Sequence, residues 1–459
     1  MTPLQFRFSF APYGFAAMRR ARTYGLAAAG LMLGLSACAS YQAAQLKPEV
    51  LVAPSVAAPL PADPDALVKI AIDHDPAVAA ARASLDAALA ARKAAKNLPP
   101  LSLTLTAEYS KDADTSRPWL YGGAAGIPVD IGARRSTRIT AADLNVVKAR
   151  YALADAVWSS RQRLRQGLSD RHFAHALAEA DRTLAEQGEA YAAALGKRVA
   201  AGEDSRGLAA QAELDASAAR QALRQAEAKI VQAEADLARA LDATADTVAA
   251  LPDIAPPAAL DAATATTMTE KALVSRADIA SAVADYDWAE NGLRAAVAAQ
   301  YPDINVAPGY TWERGVVKWP VNLTLALPPL DGNRANIGQA QKARLAAGKT
   351  LEDRVKSARH DADAAAASYR ADLETEAAIR AKDLPLAEAL SAQTERSLKA
   401  GESDRSEALA AAVALTQTRA NALEAARTAS DDRLKLEDAT RQSADASELS
   451  LLSQEMMTK

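Results

Sequence analysis

The 459-residue chain is half hydrophobic yet only 5% aromatic, so its apolar content is small and aliphatic, the composition of closely packed helices. A formal net charge of -4 supplies no basic footprint and argues against nucleic acid as a partner. A single cysteine excludes an internal disulfide and, without zinc-type spacing around it, makes a poor metal site.

Residues 1–37 have the layout of a secretory signal: Arg19, Arg20 and Arg22, then an apolar run from Leu26 to Leu35 too short to span a bilayer, then small residues. Met18 is an alternative start. Leu35-Ser36-Ala37-Cys38 resembles the lipobox of bacterial lipoproteins, and that resemblance implies cleavage before Cys38 and lipid on its sulfur and new amino end. Ala39 in the next position resembles lipoproteins passed to the outer membrane. The competing reading is a small buried thiol beside an ordinary cleavage site. Residues 38–64 carry prolines at 48, 54, 59, 61 and 64 without helical or strand period, and read as an extended tether.

Beyond the tether the chain repeats itself. DPAVAAARASLDAAL (75–89) pairs with RADIASAVADYDWAE (276–290), and LPPLSLTLTAEY (98–109) with QYPDINVAPGY (300–310). IPVDIGARR (127–135) pairs with LPPLDGNRA (327–335), and RVAAGEDSR (198–206) with SLKAGESDR (397–405). Order is kept at an offset of about 200 residues, far beyond a solenoid period, so the chain holds two copies of one domain-sized unit. The copies span 65–255 and 265–446, with 447–459 as a tail. In the first, 64–97, 133–200 and 206–246 have helical pattern and punctuation; in the second, 266–299, 333–400 and 405–446, with Pro385 expected to kink or break the long helix. Each long helix would measure roughly 100 Å, matched by the two shorter ones stacked end to end.

Between the helices lie four runs of period two: Leu101–Thr106, Trp119–Val129, Ile304–Trp312 and Val321–Leu327. Each is long enough to cross a bilayer when tilted, and Trp119, Tyr121, Tyr310, Trp312 and Trp319 suit the aromatic girdles at its edges. Four strands leave two unpaired edges, which hydrocarbon does not tolerate, and a closed membrane barrel needs about eight or more. Several chains must pool their strands, or the runs form a soluble sandwich. A solvated helical stalk without lumen is the reading these strands weigh against.

The duplicated helix, strand, strand, helix, helix order over about residues 65–445, with the Pro and Gly of IPVDIGARR and LPPLDGNRA and the Gly-bearing turns RVAAGEDSR and SLKAGESDR, resembles the TolC-type outer-membrane efflux proteins. The resemblance implies an α+β membrane protein: a homotrimer closing a twelve-stranded barrel in outer-membrane lipid, continued into the periplasm by an α-helical tunnel. It implies a passive duct that docks through a periplasmic adaptor (membrane fusion protein) onto an inner-membrane pump. The turns would then be the far periplasmic tips, where Gly202 and Gly401 permit left-handed backbone. Gly202, Glu203, Asp204, Ser205, Gly401, Glu402, Ser403 and Asp404 are the adaptor-docking candidates, plain turn chemistry being the alternative. Many relatives carry an Asp six residues beyond the second-copy glycine; here that position is Glu407, a candidate entrance gate, while the first-copy position is Leu208. Arg206 and Arg405 are candidates to pair with neighbouring acids and hold the tips shut. The external loops, Lys111–Pro118 and Glu313–Lys318, are short.

Enzyme signatures are missing: there is no phosphate-binding glycine loop, no G-x-S-x-G and no H-E-x-x-H. His172 and His175 sit three apart without a recognised ligand pattern, so ordinary packing is the better reading than a metal. No cofactor beyond the lipid on Cys38 is expected. The rival function is a periplasmic coiled-coil lipoprotein, structural or adaptor, without a channel.

Overall fold

The computed structural model describes residues 59–111 and 118–457. Its first element is not one helix over 64–97 but two, α1 (Pro64–His74) and α2 (Pro76–Ala95). Pro76 forces the preceding residue out of the helical region. Asp75 therefore sits at φ -70, ψ 119, and its carboxylate caps the second helix through Ala77 N at 2.7 Å. Strands β1 (Ser102–Tyr109) and β2 (Trp119–Val129) follow, then α3 (Arg134–Ala200), unbroken over 67 residues. At 1.5 Å per residue α3 is roughly 100 Å long. Helix α4 (Arg206–Leu241) stops five residues short of the expected 246, because Asp242 turns left-handed and a separate short helix, α5 (Ala245–Ala249), starts on a Thr244 cap.

The second copy repeats the order with one difference. Helices α6 (Ala262–Ser275) and α7 (Ala277–Ala298) replace the expected single helix, and they part at Arg276, which stands where Asp75 stands in the first copy. No proline marks this break. Arg276 instead holds an extended backbone while its guanidinium clasps Asp278 and donates to the carbonyl of Ala439 at 2.7 Å. After β3 (Asp303–Glu313), β4 (Val316–Lys318) and β5 (Val321–Ala326) comes the long helix α8 (Arg334–Ala378). It does not break at Pro385: five residues of π-helix, Ile379–Asp383, carry it into α9 (Leu384–Ala400) with right-handed helical backbone throughout. The wider turn accommodates the proline ring and its missing donor. Helix α10 (Arg405–Thr440) ends six residues before the expected 446, at left-handed Arg441. Residues read as a tail form α11 (Ala446–Met457).

Helix α3 is the spine, with α4, α7, α10 and α2 packed along it. Leu67, Val68 and Ile72 of α1 meet Val146, Leu153, Val157 and Leu164 of α3, Leu237 and Leu241 of α4, and Leu452 of α11. Farther along, the contact thins to alanine: Ala192 and Leu195 against Ala212 and Ala216. Small side chains let two helices run close without bulky layers. Beside the wide core a polar cluster is sealed in. Arg161 is 1% exposed, hydrogen-bonds Glu448 at 2.7 and 3.0 Å and forms an ion pair with Glu437 at 2.6 Å; Arg165 adds a 3.0 Å bond to Glu448. Ion pairing of this kind is how buried charges are tolerated, and it ties α11 to the middle of α3 and the end of α10.

Candidate functional site

The sheet is ordered β1-β2-β3, with β4 and β5 both on the far side of β3. Their pairings with β3 continue one register, interrupted at Pro320, so five strands make four columns. The loop expected over Glu313–Lys318 shrinks to a two-residue turn, Arg314 and Gly315, both at positive φ. All neighbours are antiparallel. The registers align the alternation across the whole sheet, since Leu103 faces Ala125, Tyr109 faces Trp119, Ile127 faces Val306, and Val306 faces Leu323. One face therefore carries Leu103, Leu105, Ile127, Val129, Ile304, Val306, Leu323 and Leu325, while the other carries Ser102, Thr104, Thr106, Gly126, Asn305, Thr311, Asn322 and Thr324. The apolar face is open: Leu103 is 62% exposed, Leu105 76% and Val321 69%. Among the described residues the outer edges of β1 and of β4 and β5 have no strand partner. Apolar outside, small and polar inside, two open edges: this is a segment of a larger barrel.

Trp119, Tyr121, Tyr310, Trp312 and Trp319 do not frame both rims. They cluster at the hairpin end, where Tyr109 packs on Trp119 at 5.0 Å, Trp119 on Tyr121 at 5.8 Å, Tyr121 on Trp312 at 6.1 Å and Tyr310 on Trp319 at 5.3 Å. The helix end is aliphatic, with Val129, Ile304 and Leu325. There Gly132 takes φ +80, and a Cβ on it would stand 2.7 Å from the Tyr301 ring, so glycine alone lets the strand turn into α3.

At the opposite end of α3 are the two turns. Gly202 and Gly401 have φ 79 and 77, and the following amides close the helices, Glu203 N on the Arg198 carbonyl and Glu402 N on that of Ser397, each at 2.9 Å. Ser205 and Asp404 cap the next helices through Leu208 N at 3.2 Å and Glu407 N at 2.9 Å. Hydrogen bonds from Ser406 and the Glu407 amide hold the Asp404 carboxyl below its ordinary range. Glu203, Glu402, Arg206, Arg405 and Glu407 are exposed. Within the chain, neither Arg206 nor Arg405 closes an ion pair among the described residues. The tie falls to Arg198, which pairs with Asp204 of its own turn and Asp404 of the other copy's turn. Arg198 opens the repeated stretch RVAAGEDSR, while its counterpart is Ser397; that one-sided charge was the available signal.

His172 and His175 point to different partners, Asp253 at 2.9 Å and Glu234 at 3.5 Å, which argues against a shared metal. Among the described residues no His, Cys, Asp and Glu group could hold a metal ion, and no helix is long and apolar enough to cross a membrane. Cys38, with the signal and most of the tether, lies outside the described residues, as does most of the loop 111–118.

The family model described as outer membrane efflux protein matches residues 67–243 and 268–440. The chain belongs to that family. It is an outer-membrane channel component of a tripartite efflux system. Channels of this family are homotrimers working with an adaptor and an inner-membrane pump, and they lie in the outer membrane and extend into the periplasm. Members of the family are efflux ducts and are not known as enzymes. Solved structures similar in fold include VceC of Vibrio cholerae, 18% identical over 83% of this chain and 97% of that one with TM-score 0.67. CmeC of Campylobacter jejuni is 12% identical over 92% and 98%, TM-score 0.67. The open state of MtrE of Neisseria gonorrhoeae is 18% identical over 82% and 88%, TM-score 0.63. No curated protein matches the chain in sequence.

Proposed function

We propose that three copies of this chain join β1 of one to the β4 and β5 edge of the next, closing a twelve-stranded barrel whose apolar face meets lipid and whose Ser, Thr and Asn face lines a passive duct. The observation that carries this is the exposed apolar face of a sheet with two open edges; unpaired amides at such edges cost several kcal/mol each in hydrocarbon. Helices α3, α4, α8, α9 and α10 continue the wall into the periplasm. At its far end Gly202–Ser205 and Gly401–Asp404 form the surface for the adaptor, and Glu407 with Arg198 forms the entrance. Cys38 bears the lipid that holds the chain to the outer membrane. Purified protein run in detergent and reconstituted in planar bilayers tests the reading. It requires a stable trimer and discrete conductance steps; a monomer soluble without its acyl groups and without conductance would favour the periplasmic coiled-coil lipoprotein.

A further inference from the structure

A cavity of about 380 Å³ lies where the sheet gives way to the helices, and three arginines line it: Arg134, Arg135 and Arg138, from the first turns of α3. Its other walls include Pro128, Asn305 and Thr324 of the polar face of the sheet, since Pro128 faces Asn305 and Asn305 faces Thr324, together with Val129 and Ile304 at the end of the apolar face. Two carboxylates are present. Asp303 pairs with Arg134 at 2.5 Å, and Asp130 accepts the Arg135 backbone amide at 2.8 Å.

The other two guanidiniums reach no carboxylate among the described residues. Arg135 donates to the carbonyl of Lys96 at 2.9 Å, and Arg138 to those of Ala95 and Asn97 at 3.2 and 3.0 Å. These carbonyls at the end of α2 fix the arginines in place while using one and two of the five donors each carries. The Nε atoms of Arg134 and Arg135 are buried without a partner. Ala133 supplies no side-chain cap to α3, and the Asp130 carboxylate occupies the Arg135 amide of its first turn. The whole is a pre-oriented set of N–H donors with excess positive charge, the geometry that planar oxyanion groups select.

We propose that this cavity binds an oxyanion group, phosphate or carboxylate, on solutes passing along the duct, so that a trimer carries a ring of three such sites where tunnel meets barrel. The inference rests on the duct reading, which makes the polar face the lumen. A confined ring of charge weighs more on a permeating ion than the same charge on open surface.

The test uses the full-length trimer in phosphatidylcholine bilayers, with inorganic pyrophosphate as probe and each variant's own pyrophosphate-free conductance as baseline. Pyrophosphate should reduce the wild-type conductance. The double variant Arg135→Gln/Arg138→Gln should need about tenfold more probe for half-block, and Arg138→Lys, which keeps the charge, should stay within a few-fold of wild type. Arg138→Gln alone serves if the double variant fails to assemble, and it should shift the block in the same direction. Equal block in wild type and glutamine variants, or conductance without block, would overturn the proposal while leaving the duct intact. Absence of all conductance would instead sink the duct reading. Loss of block on changing to anionic phosphatidylglycerol would assign the site to lipid headgroups and likewise overturn it.

Discussion

Replacing Glu448 by glutamine removes one of two carboxylates that neutralise three sealed-in arginines, Arg161, Arg165 and Arg433. Glu437, 1% exposed at its side chain, remains for Arg161 and Arg433, while Arg165 keeps only longer contacts of 3.7 Å to Asp65 and Asp445. Burial alone would push the Glu448 carboxyl up, but hydrogen bonding and charge from Arg161, with Arg165 and Ser443 adding to them, bring it down from 4.5 to about 2. A depressed acid contributes stability that is fully present above the unfolded value and is lost as pH falls through the folded one. The gap corresponds to about 3 kcal/mol at neutral pH, in line with the ~3–5 kcal/mol cost of breaking a buried pair by removing one partner. The assay is hydrogen exchange on residues 446–457 and on the middle of α3 in the detergent-solubilised protein. In Glu448→Gln, protection of α11 should fall by about two orders of magnitude at pH 7. Wild-type protection should be lost between about pH 4.5 and 2, and the variant should show no such loss there. Replacing Arg161 and Glu448 together by Met and Leu should recover only part of the loss, because Glu437 still pairs with Arg433 while Arg165 is left with its 3.7 Å contacts to Asp65 and Asp445. Protection in Glu448→Gln within about threefold of wild type would refute the idea that this carboxylate secures the C-terminal helix.

Placing lysine at Leu105 should cost about 2–4 kcal/mol per chain in the bilayer and reduce the heat-stable trimer on gels, whereas Thr104→Lys, one residue away on the opposite face, should still assemble. Arg198→Ala should raise the mean single-channel conductance by loosening the two turns, with Arg206→Ala and Arg405→Ala leaving it unchanged; equal conductance for all three would remove Arg198 from the entrance. Gly401→Val forces a branched side chain into left-handed backbone at a cost of about 1–2 kcal/mol, and binding of a periplasmic adaptor to immobilised trimer should weaken measurably. Cys38→Ser should abolish metabolic labelling with palmitate and lower the mature mass no further than its signal cleavage allows.

The helical repeats were legible because proline, glycine and capping residues act locally. Gly202 and Gly401 took the left-handed turns and Asp404 capped what followed, each through its own backbone chemistry, and Pro76 acted as locally, although the helical pattern over 64–97 runs through it unmarked. The break at Arg276 was not legible, since it depends on a carbonyl of Ala439 contributed from 163 residues away. The same holds for α11, whose polar Ser and Glu content resembles a solvated tail until Glu448 is seen between two arginines of α3. Pro385 did not end the helix, because a π-helical turn over Ile379–Asp383 takes up its ring and missing donor.

By itself the sequence determined the duplication, the helix and strand content, and the alternation that makes one sheet face apolar, for these follow from periodicity within short windows. Tertiary structure alone decided that Trp119, Tyr121, Tyr310, Trp312 and Trp319 gather at one end of the sheet, that Arg198 rather than Arg206 or Arg405 joins the turns, and that three arginines meet over the polar face. Those are matters of register and of partners distant in the chain, and a side chain's charge or ring says what it can bind without saying what folding will bring to it.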